Sequence, residues 1–197
     1  MKPFYEFSPG YRVFMLLQAN TRDYAGTGTL NRDSNGYVLR GGLDFTVDPL
    51  LYGTAEIGYL SQSYDNPAIQ PISGLSFSGK ATWLMTKLMT ATFSAERSVS
   101  ETTTPDFNGL LRTKFGARVD YEFLRNLIFY VEPKYFDDKY PDTPRHDKIT
   151  QVSAGFDYAM NPRLKLGLKY DFIDRNSTIS TFTYDEHVVT FNVTTQY

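Results

Sequence analysis

The sequence contains no cysteine, which removes disulfide scaffolds, thiolate metal sites and cysteine nucleophiles together and leaves the redox compartment open. No charge sign dominates: 20 basic residues stand against 22 acidic ones, so nothing in the electrostatics calls for nucleic acid as a partner. Long hydrophobic runs are missing too. The longest, such as Val13 to Leu17, span five residues, whereas a transmembrane helix needs about 20. The start, "MKPFYEFSPG", lacks the basic, apolar and small-residue regions of a secretory signal. Either the protein stays inside the cell or the chain is a mature or trimmed form carrying a start Met.

What the chain does have is aromatics, 15 Tyr and 15 Phe in 197 residues, and period-two alternation. Almost no 3.6-residue pattern is present, while stretches rich in Val, Thr, Tyr and Phe alternate apolar and polar positions. The reading is all β. Strands are expected near 11–23, 37–47, 52–63, 75–85, 89–99, 110–122, 127–135, 149–158, 163–174 and 184–197, ten in all. Connections alternate in kind: "VDPLLYG", "MTKLM", "EFLRNL" and "MNPRL" are tight, and 24–36, 64–74, 100–109, 136–148 and 175–183 are longer and rich in turn formers. The turn markers Pro9, Pro49, Lys87, Leu124 and Pro162 are spaced by 40, 38, 37 and 38 residues, which signals a repeated two-strand unit.

One register of each strand is apolar, as in Val13, Met15, Leu17 and Ala19, or Leu164, Leu166, Leu168, Tyr170 and Phe172. The opposite register holds Arg40, Asp44, Glu56, Lys80, Glu96, Arg112, Lys114, Arg118, Asp120, Glu132, Lys134, Asp157, Lys165, Lys169 and Asp171. A soluble sandwich also buries one face per strand, so alternation alone does not choose. Strands of ten or more residues, long loops at one end with short turns at the other, and aromatics at strand ends favour an antiparallel up-and-down transmembrane β-barrel. Tyr11, Phe45, Trp83, Tyr121, Tyr158 and Tyr197 are expected to form the inner aromatic girdle, with Tyr24, Tyr37, Tyr64, Phe172 and Tyr184 at the outer one. The terminal "HVVTFNVTTQY" reads as the barrel's last strand.

Several motifs also resemble a known family. "RDSNGY", "GYLSQSYDNP", "ATWLMTKLMT", "ERSVSETT", "YEFLRNL" and "LGLKYDFIDRNS" are similar, in sequence order from about residue 11 onward, to the outer-membrane β-barrel porins, some of which accompany exopolysaccharide or capsule export genes. The resemblance implies a bacterial outer membrane and a porin or polysaccharide-linked role, and it supplies no catalytic or binding residues. Members of that family are larger and carry an export signal. "KPFYEFSPGYRVF" parallels "GFDYAMNPRLKLG", so residues 1–7 are expected to be the remnant of an upstream strand, in a trimmed or engineered single-domain barrel spanning 1–197.

Closed with ten strands, such a barrel has a narrow bore, since about eight leave room only for side chains. The polar register changes sign from strand to strand, so neighbouring strands can pair charges across the lumen. It is read as lumen lining, either a charged constriction for solutes or a polar plug in a structural barrel. The expected partners are the lipid bilayer with lipopolysaccharide and small solutes or polysaccharide, for a monomer rather than an oligomer. No cofactor or metal is expected. "TYDEH" places His187 after Asp185 and Glu186, a rim pair able in principle to activate water, without a nucleophile or oxyanion donor to complete a site. Asp137, Asp138, Asp142 and Asp147, with His146, lie in a loop whose spacing is not that of a calcium loop. "GTG" at 26–28 has no helix after it and is not a phosphate cradle.

Overall fold

The computed structural model describes residues 3–24, 33–100, 109–141 and 143–195. Eleven strands follow one another: β1 (Phe4–Ser8), β2 (Tyr11–Arg22), β3 (Ser34–Asp48), β4 (Leu51–Tyr64), β5 (Ile72–Leu84), β6 (Met89–Ser100), β7 (Leu110–Leu124), β8 (Leu127–Lys139), β9 (His146–Asn161), β10 (Leu164–Ser177) and β11 (Tyr184–Thr195). A 3-10 turn, Ser180–Phe182, precedes β11. Each strand pairs antiparallel with the next, in the order β1 to β11. The upstream strand remnant expected within residues 1–7 is present as an eleventh strand, whereas the expected closure of the sheet is corrected. Phe4–Ser8 forms an additional strand on β2, with Phe4 opposite Phe14 and Glu6 opposite Arg12, and β11 does not pair with β1 among the described residues.

Local chemistry explains the tight turns. The Asp48 carboxylate accepts the amides of Leu50 and Leu51, each at 2.8 Å, and Asn161 accepts that of Arg163 at 2.9 Å; in both cases a proline lies inside the turn, so an Asx turn and a fixed φ reinforce each other. Thr86 does the same for Leu88 and Met89. Gly10 takes φ +82°, a left-handed conformation suited to glycine, and its carbonyl accepts the Thr46 amide at 2.7 Å. These turns seat adjacent strands in a register that keeps one face apolar.

At the other end β3, β5, β8, β9 and β10 run three or four residues further than the periodicity predicts. β8 continues to Lys139 and β9 begins at His146, through residues whose polarity reads as loop in the sequence. They pair as a hairpin beyond the apolar band, Asp138 opposite Asp147 and Lys139 opposite His146. Strands of 12 to 16 residues therefore overshoot the roughly 9 to 11 a tilted strand needs to cross a bilayer.

The sheet is inside-out relative to a soluble fold. Its exposed face carries Met15, Leu17, Ile57, Phe93, Phe115, Val131, Phe191 and Val193, all from the apolar register. Its buried side chains include Arg40, Gln62, Ser76, Asp138, Asp147, Ser153 and Asp171 from the polar one. The accessible surface is 12492 Å², whereas a compact soluble protein of 22.5 kDa has about 9,500 Å². Exposed apolar side chains on this scale mark a surface that is covered by a partner or by hydrocarbon.

Curvature brings distant strands together on the polar side. Arg40 on β3 bonds Ser76 on β5 across β4, and Leu60 on β4 clusters with Ile72 and with Leu111 on β7. Phe14 also packs inward: its ring lies where a Cβ of Gly42 would be, so that glycine makes the space for a buried aromatic on the polar face. Pro133 interrupts the β7 to β8 ladder, whose pairs skip from Gly116–Lys134 to Val119–Val131, because proline has no N–H to give.

Candidate functional site

The concave polar face is the candidate site. Alternation within each strand and the pairing between strands put all fifteen charged residues expected there on that one face. Arg12 opposes Asp44, Lys80 opposes Thr54, Glu96 opposes both Ser78 and Lys114, and Asp157 opposes Gly167.

Their charges are mostly compensated locally. Arg40 donates to Glu56 at 3.3 Å and to the Ser76 hydroxyl at 2.8 Å. Arg112 grips Asp138 with two bonds of 2.7 and 2.6 Å, a bidentate fork that is among the stronger protein hydrogen-bond arrangements. Asp44 accepts from Thr54 at 2.7 Å. Arg118 holds Asp120 and lies 3.9 Å from the Tyr130 ring centroid. Lys134 meets Glu132 at 2.7 Å and Lys169 meets Asp171 at 2.9 Å. Asp171 also accepts from Ser153 and Gln151.

The expectation of ion pairs across the lumen is thereby corrected. Three of these pairs lie two residues apart on a single strand, and the others join adjacent strands. Same-face neighbours along a strand stand about 7 Å apart, within easy reach of Lys and Arg, so the short connection forms first. Among the described residues Lys80, Lys114, Lys165 and Asp157 make no ion pair. Lys114 instead lies 5.9 Å from the Phe136 ring centroid.

At the long-loop end the face is capped by two clusters. Leu60, Ile72 and Leu111 pack with Val38, Tyr64 and Val99. Leu110 and Tyr140 pack with Phe182, and Arg145 is inserted between the rings of Phe182 and Tyr140, at 3.7 and 4.5 Å. Arg145 also binds Asp147, which Arg175 approaches at 3.6 Å. Arg145, Tyr140 and Asp147 stand beyond the outermost apolar positions of β8 and β9, outside the band that faces lipid. Burial pushes the Tyr140 phenol up. Burial also opposes the Arg145 charge and would raise the Asp147 carboxyl, but their mutual bond prevails in both, aided at Asp147 by Ser177 and the Arg175 charge, so Arg145 is raised and Asp147 lowered from their ordinary values.

Between the caps and the short turns lie two recesses of the polar face. One, of about 580 Å³, opens at the turn end among Glu6, Arg12, Asp44, Thr54 and Lys80. The other, of about 320 Å³, sits under the first cap and spans β2 to β6.

The aromatic positions divide. Tyr11 opposes Phe45, Trp83 opposes Leu51, Tyr121 opposes Phe129 and Tyr158 opposes Leu166, all on the apolar face at the turn end. Tyr197 lies outside the described residues. Of the outer set, Tyr37 and Phe172 are on the apolar face, while Tyr24 is beyond β2, its amide donating to Asp33. Tyr64 belongs to the inward cluster, and Tyr184 opposes Arg175 and accepts from it, so both leave the outer set. Tyr59, Tyr135 and Tyr170 are also exposed on the apolar face; the sequence reading puts Tyr170 in the apolar register but in neither girdle, and odd steps from Glu56, Lys134 and Asp171 mark all three.

Neither histidine assembles a reacting group. His187 stacks on Tyr170 and Phe172 on the apolar face, its Nδ1 2.7 Å from the Tyr170 hydroxyl, while Glu186 opposes Ile173 on the polar face. His146 pairs with Asp137 at 3.0 Å. Asp138 and Asp147 are strand residues engaged with arginines, Asp137 is a strand residue beside His146, and Asp142 lies outside the described residues. The "GTG" segment does as well.

The whole chain, residues 1–197, matches the model of the family described as "Putative beta-barrel porin 2", and the chain belongs to that family. Its fold is similar to the outer membrane channel DcaP of Acinetobacter baumannii, with TM-score 0.63 and 12% identity over 98% of this chain and 60% of that one. It is also similar to the NanC porin, with TM-score 0.50 and 11% identity over 95% and 94% of the two chains. At these identities the likeness is one of fold, and this chain spans about three fifths of the DcaP chain. Among curated proteins none matches the sequence significantly. The family and the exposed apolar band together make this a β-barrel protein of the bacterial outer membrane.

Proposed function

We propose that this porin-family chain forms a channel for small hydrophilic solutes across the outer membrane, with the concave polar face as its wall. The observation that carries the reading is the inversion of burial. Asp138 and Asp147 are fully buried and Arg40 is 9% exposed, while Ile57 and Phe191 are more than 60% exposed. Charges withdrawn from bulk water need partners and a wet or polar surround, and a membrane barrel lumen supplies both. On this reading the fifteen charged residues from Arg40 to Asp171 line the lumen. Tyr11, Phe45, Trp83, Tyr121 and Tyr158 sit at the inner membrane interface, and lipopolysaccharide covers the outer leaflet side.

A second reading has its own support. The bidentate Arg112–Asp138 pair, the Arg118–Asp120–Tyr130 stack and the two caps fill much of the concave side, as in a structural barrel with a polar plug. Planar-bilayer recording on the refolded chain decides between them. Stable ohmic steps are expected for a channel; protein that is folded by heat-modifiability and circular dichroism yet never conducts assigns the polar face to a plug.

A further inference from the structure

We infer that the recess spanning β2 to β6 is a binding site for a neutral polyhydroxylated solute of saccharide type. This deepens the channel reading and rests on it for its place in transport, though not for binding itself. At about 320 Å³ the recess lies at the small end of the ~300–1,000 Å³ range of small-molecule pockets. It suits one or two sugar rings.

The lining argues for that chemistry. Gln18, Asn20, Gln62, Glu96 and Ser98 present planar amide or carboxylate groups and a hydroxyl, and Val38 and Val99 add an apolar wall. Adjacent hydroxyls of a sugar both donate and accept, so they are matched by amides, which do both in one plane. The ring's C–H face takes the apolar wall.

The polar groups are also held in place. Gln62 is 3% exposed and its amide donates to the Ser34 hydroxyl at 2.9 Å. Its side chain lies over Gly36, where any Cβ would overlap it, so the glycine creates its seat. Arg40 is fixed by Glu56 and Ser76. Glu96 accepts from Ser98 at 3.1 Å. Gln18 and Asn20 are exposed and share the polar register, facing Val38 and Gly36 across β3.

Charge points away from an ionic ligand. The charges of the lining other than Arg40 are one of each sign, Arg22 and Glu96, and the Arg40 charge is already taken by Glu56, which stands outside the lining, at 3.3 Å. A neutral solute leaves that pair intact, whereas an anion or a zwitterion has to compete with it.

The test is titration calorimetry of glucose, maltose, glycine and acetate into the detergent-refolded full chain, alongside bilayer recording with the same solutes. Binding of maltose or glucose is expected in the millimolar range, at least tenfold tighter than glycine or acetate, with maltose reducing single-channel current reversibly. Gln18→Leu with Asn20→Leu is expected to weaken sugar binding at least fivefold, and Ser98→Val gives a second, milder variant should the first fold poorly. Tighter binding of glycine or acetate, no sugar binding by folded protein, or sugar binding unmoved by either variant overturns the inference. Sugar binding without conductance keeps the site and removes the channel reading; conductance without sugar binding does the reverse.

Discussion

The guanidinium carbon of Arg145 lies 3.7 Å from the centroid of the Phe182 ring. Arg145 precedes β9 and Phe182 ends the 3-10 turn before β11, so this one stack ties together two long connections at the outer end. A desolvated cation–π contact of this kind is worth up to about 2 kcal/mol. Phe182→Leu is expected to raise hydrogen exchange at the Phe182 and Thr143 amides, which bond Ile179 and Tyr140, by up to about thirtyfold. Unchanged exchange at both means the stack does not hold the loops.

The same cluster predicts a pH response. Asp147 has its carboxyl lowered in the folded state by Arg145, Ser177 and Arg175 against the effect of burial. A lowered folded value means a stabilising contribution that is full above the unfolded carboxylate range, about pH 3.9, and is lost as pH falls through the folded value. Limited proteolysis of the outer hairpins from pH 7 down to pH 2 is expected to show protection failing only at the acid end. Asp147→Asn is expected to lose that acid-dependent step and to be cleaved faster already at pH 7, since Arg145 then lacks its counter-charge.

Ion selectivity follows from which charges are uncompensated. Lys80 and Lys114 face the proposed lumen without ion pairs, whereas Arg112, Arg118, Lys134 and Lys169 are neutralised by Asp138, Asp120, Glu132 and Asp171. Lys80→Glu with Lys114→Gln is expected to move the reversal potential toward cation selectivity under a salt gradient at little cost in stability, since glutamine at 114 sets no like charge opposite Glu96. Lys134→Glu is expected to lower stability more, by leaving Glu132 beside a like charge. A reversal potential that ignores the double substitution places these lysines outside the conducting path.

Much of this arrangement is legible in the sequence, for a physical reason. A strand's side-chain period is two residues whatever surrounds it, so the two faces can be separated by counting, and the turn markers fix how the strands follow. β1 is visible as well, through the likeness of "KPFYEFSPGYRVF" to "GFDYAMNPRLKLG". Local polarity misleads where it changes without a change of structure: Asp137, Asp138, His146 and Asp147 read as loop but extend β8 and β9. Pair partners are not legible either. Lys169 has Asp157 and Asp171 within two strands, and only side-chain geometry selects Asp171. Tyr64 misleads by residue type instead: its ring reads as girdle, yet an even step from Glu56 puts it on the inward face with the Leu60 cluster.

The two faces of β11 allow a direct comparison. Phe191 opposes Leu168 on the apolar face, and Asn192 opposes Gly167 on the polar face. Phe191→Arg is expected to destabilise the folded barrel by about 2–4 kcal/mol if it lies near the bilayer midplane, seen as a lower urea midpoint for folding into liposomes. Asn192→Arg, one residue away, is expected to shift the midpoint little. Equal effects from the two would mean that lipid does not cover the apolar face.

Strand parity bears on the edges of the sheet. Ten reversals separate β1 from β11, so the two run in the same direction, whereas β2 runs opposite to β11. In hydrocarbon each unpaired backbone group costs several kcal/mol, and β2 and β11 have twelve residues each while β1 has five. For this chain alone in a membrane, closing β11 on β2 displaces β1 from Tyr11–Phe14 yet satisfies more groups, in the antiparallel geometry that is slightly the more stable per residue, than a parallel seam on β1. The absence of native cysteine makes the test unambiguous: with Val189→Cys on β11, a short thiol cross-linker is expected to capture Leu17→Cys on β2 and not Tyr5→Cys on β1. Capture of Tyr5→Cys would establish a parallel seam, and capture of neither would mean that these edges take other strands. The bore, and with it any conductance, differs among the three outcomes because diameter grows with strand number.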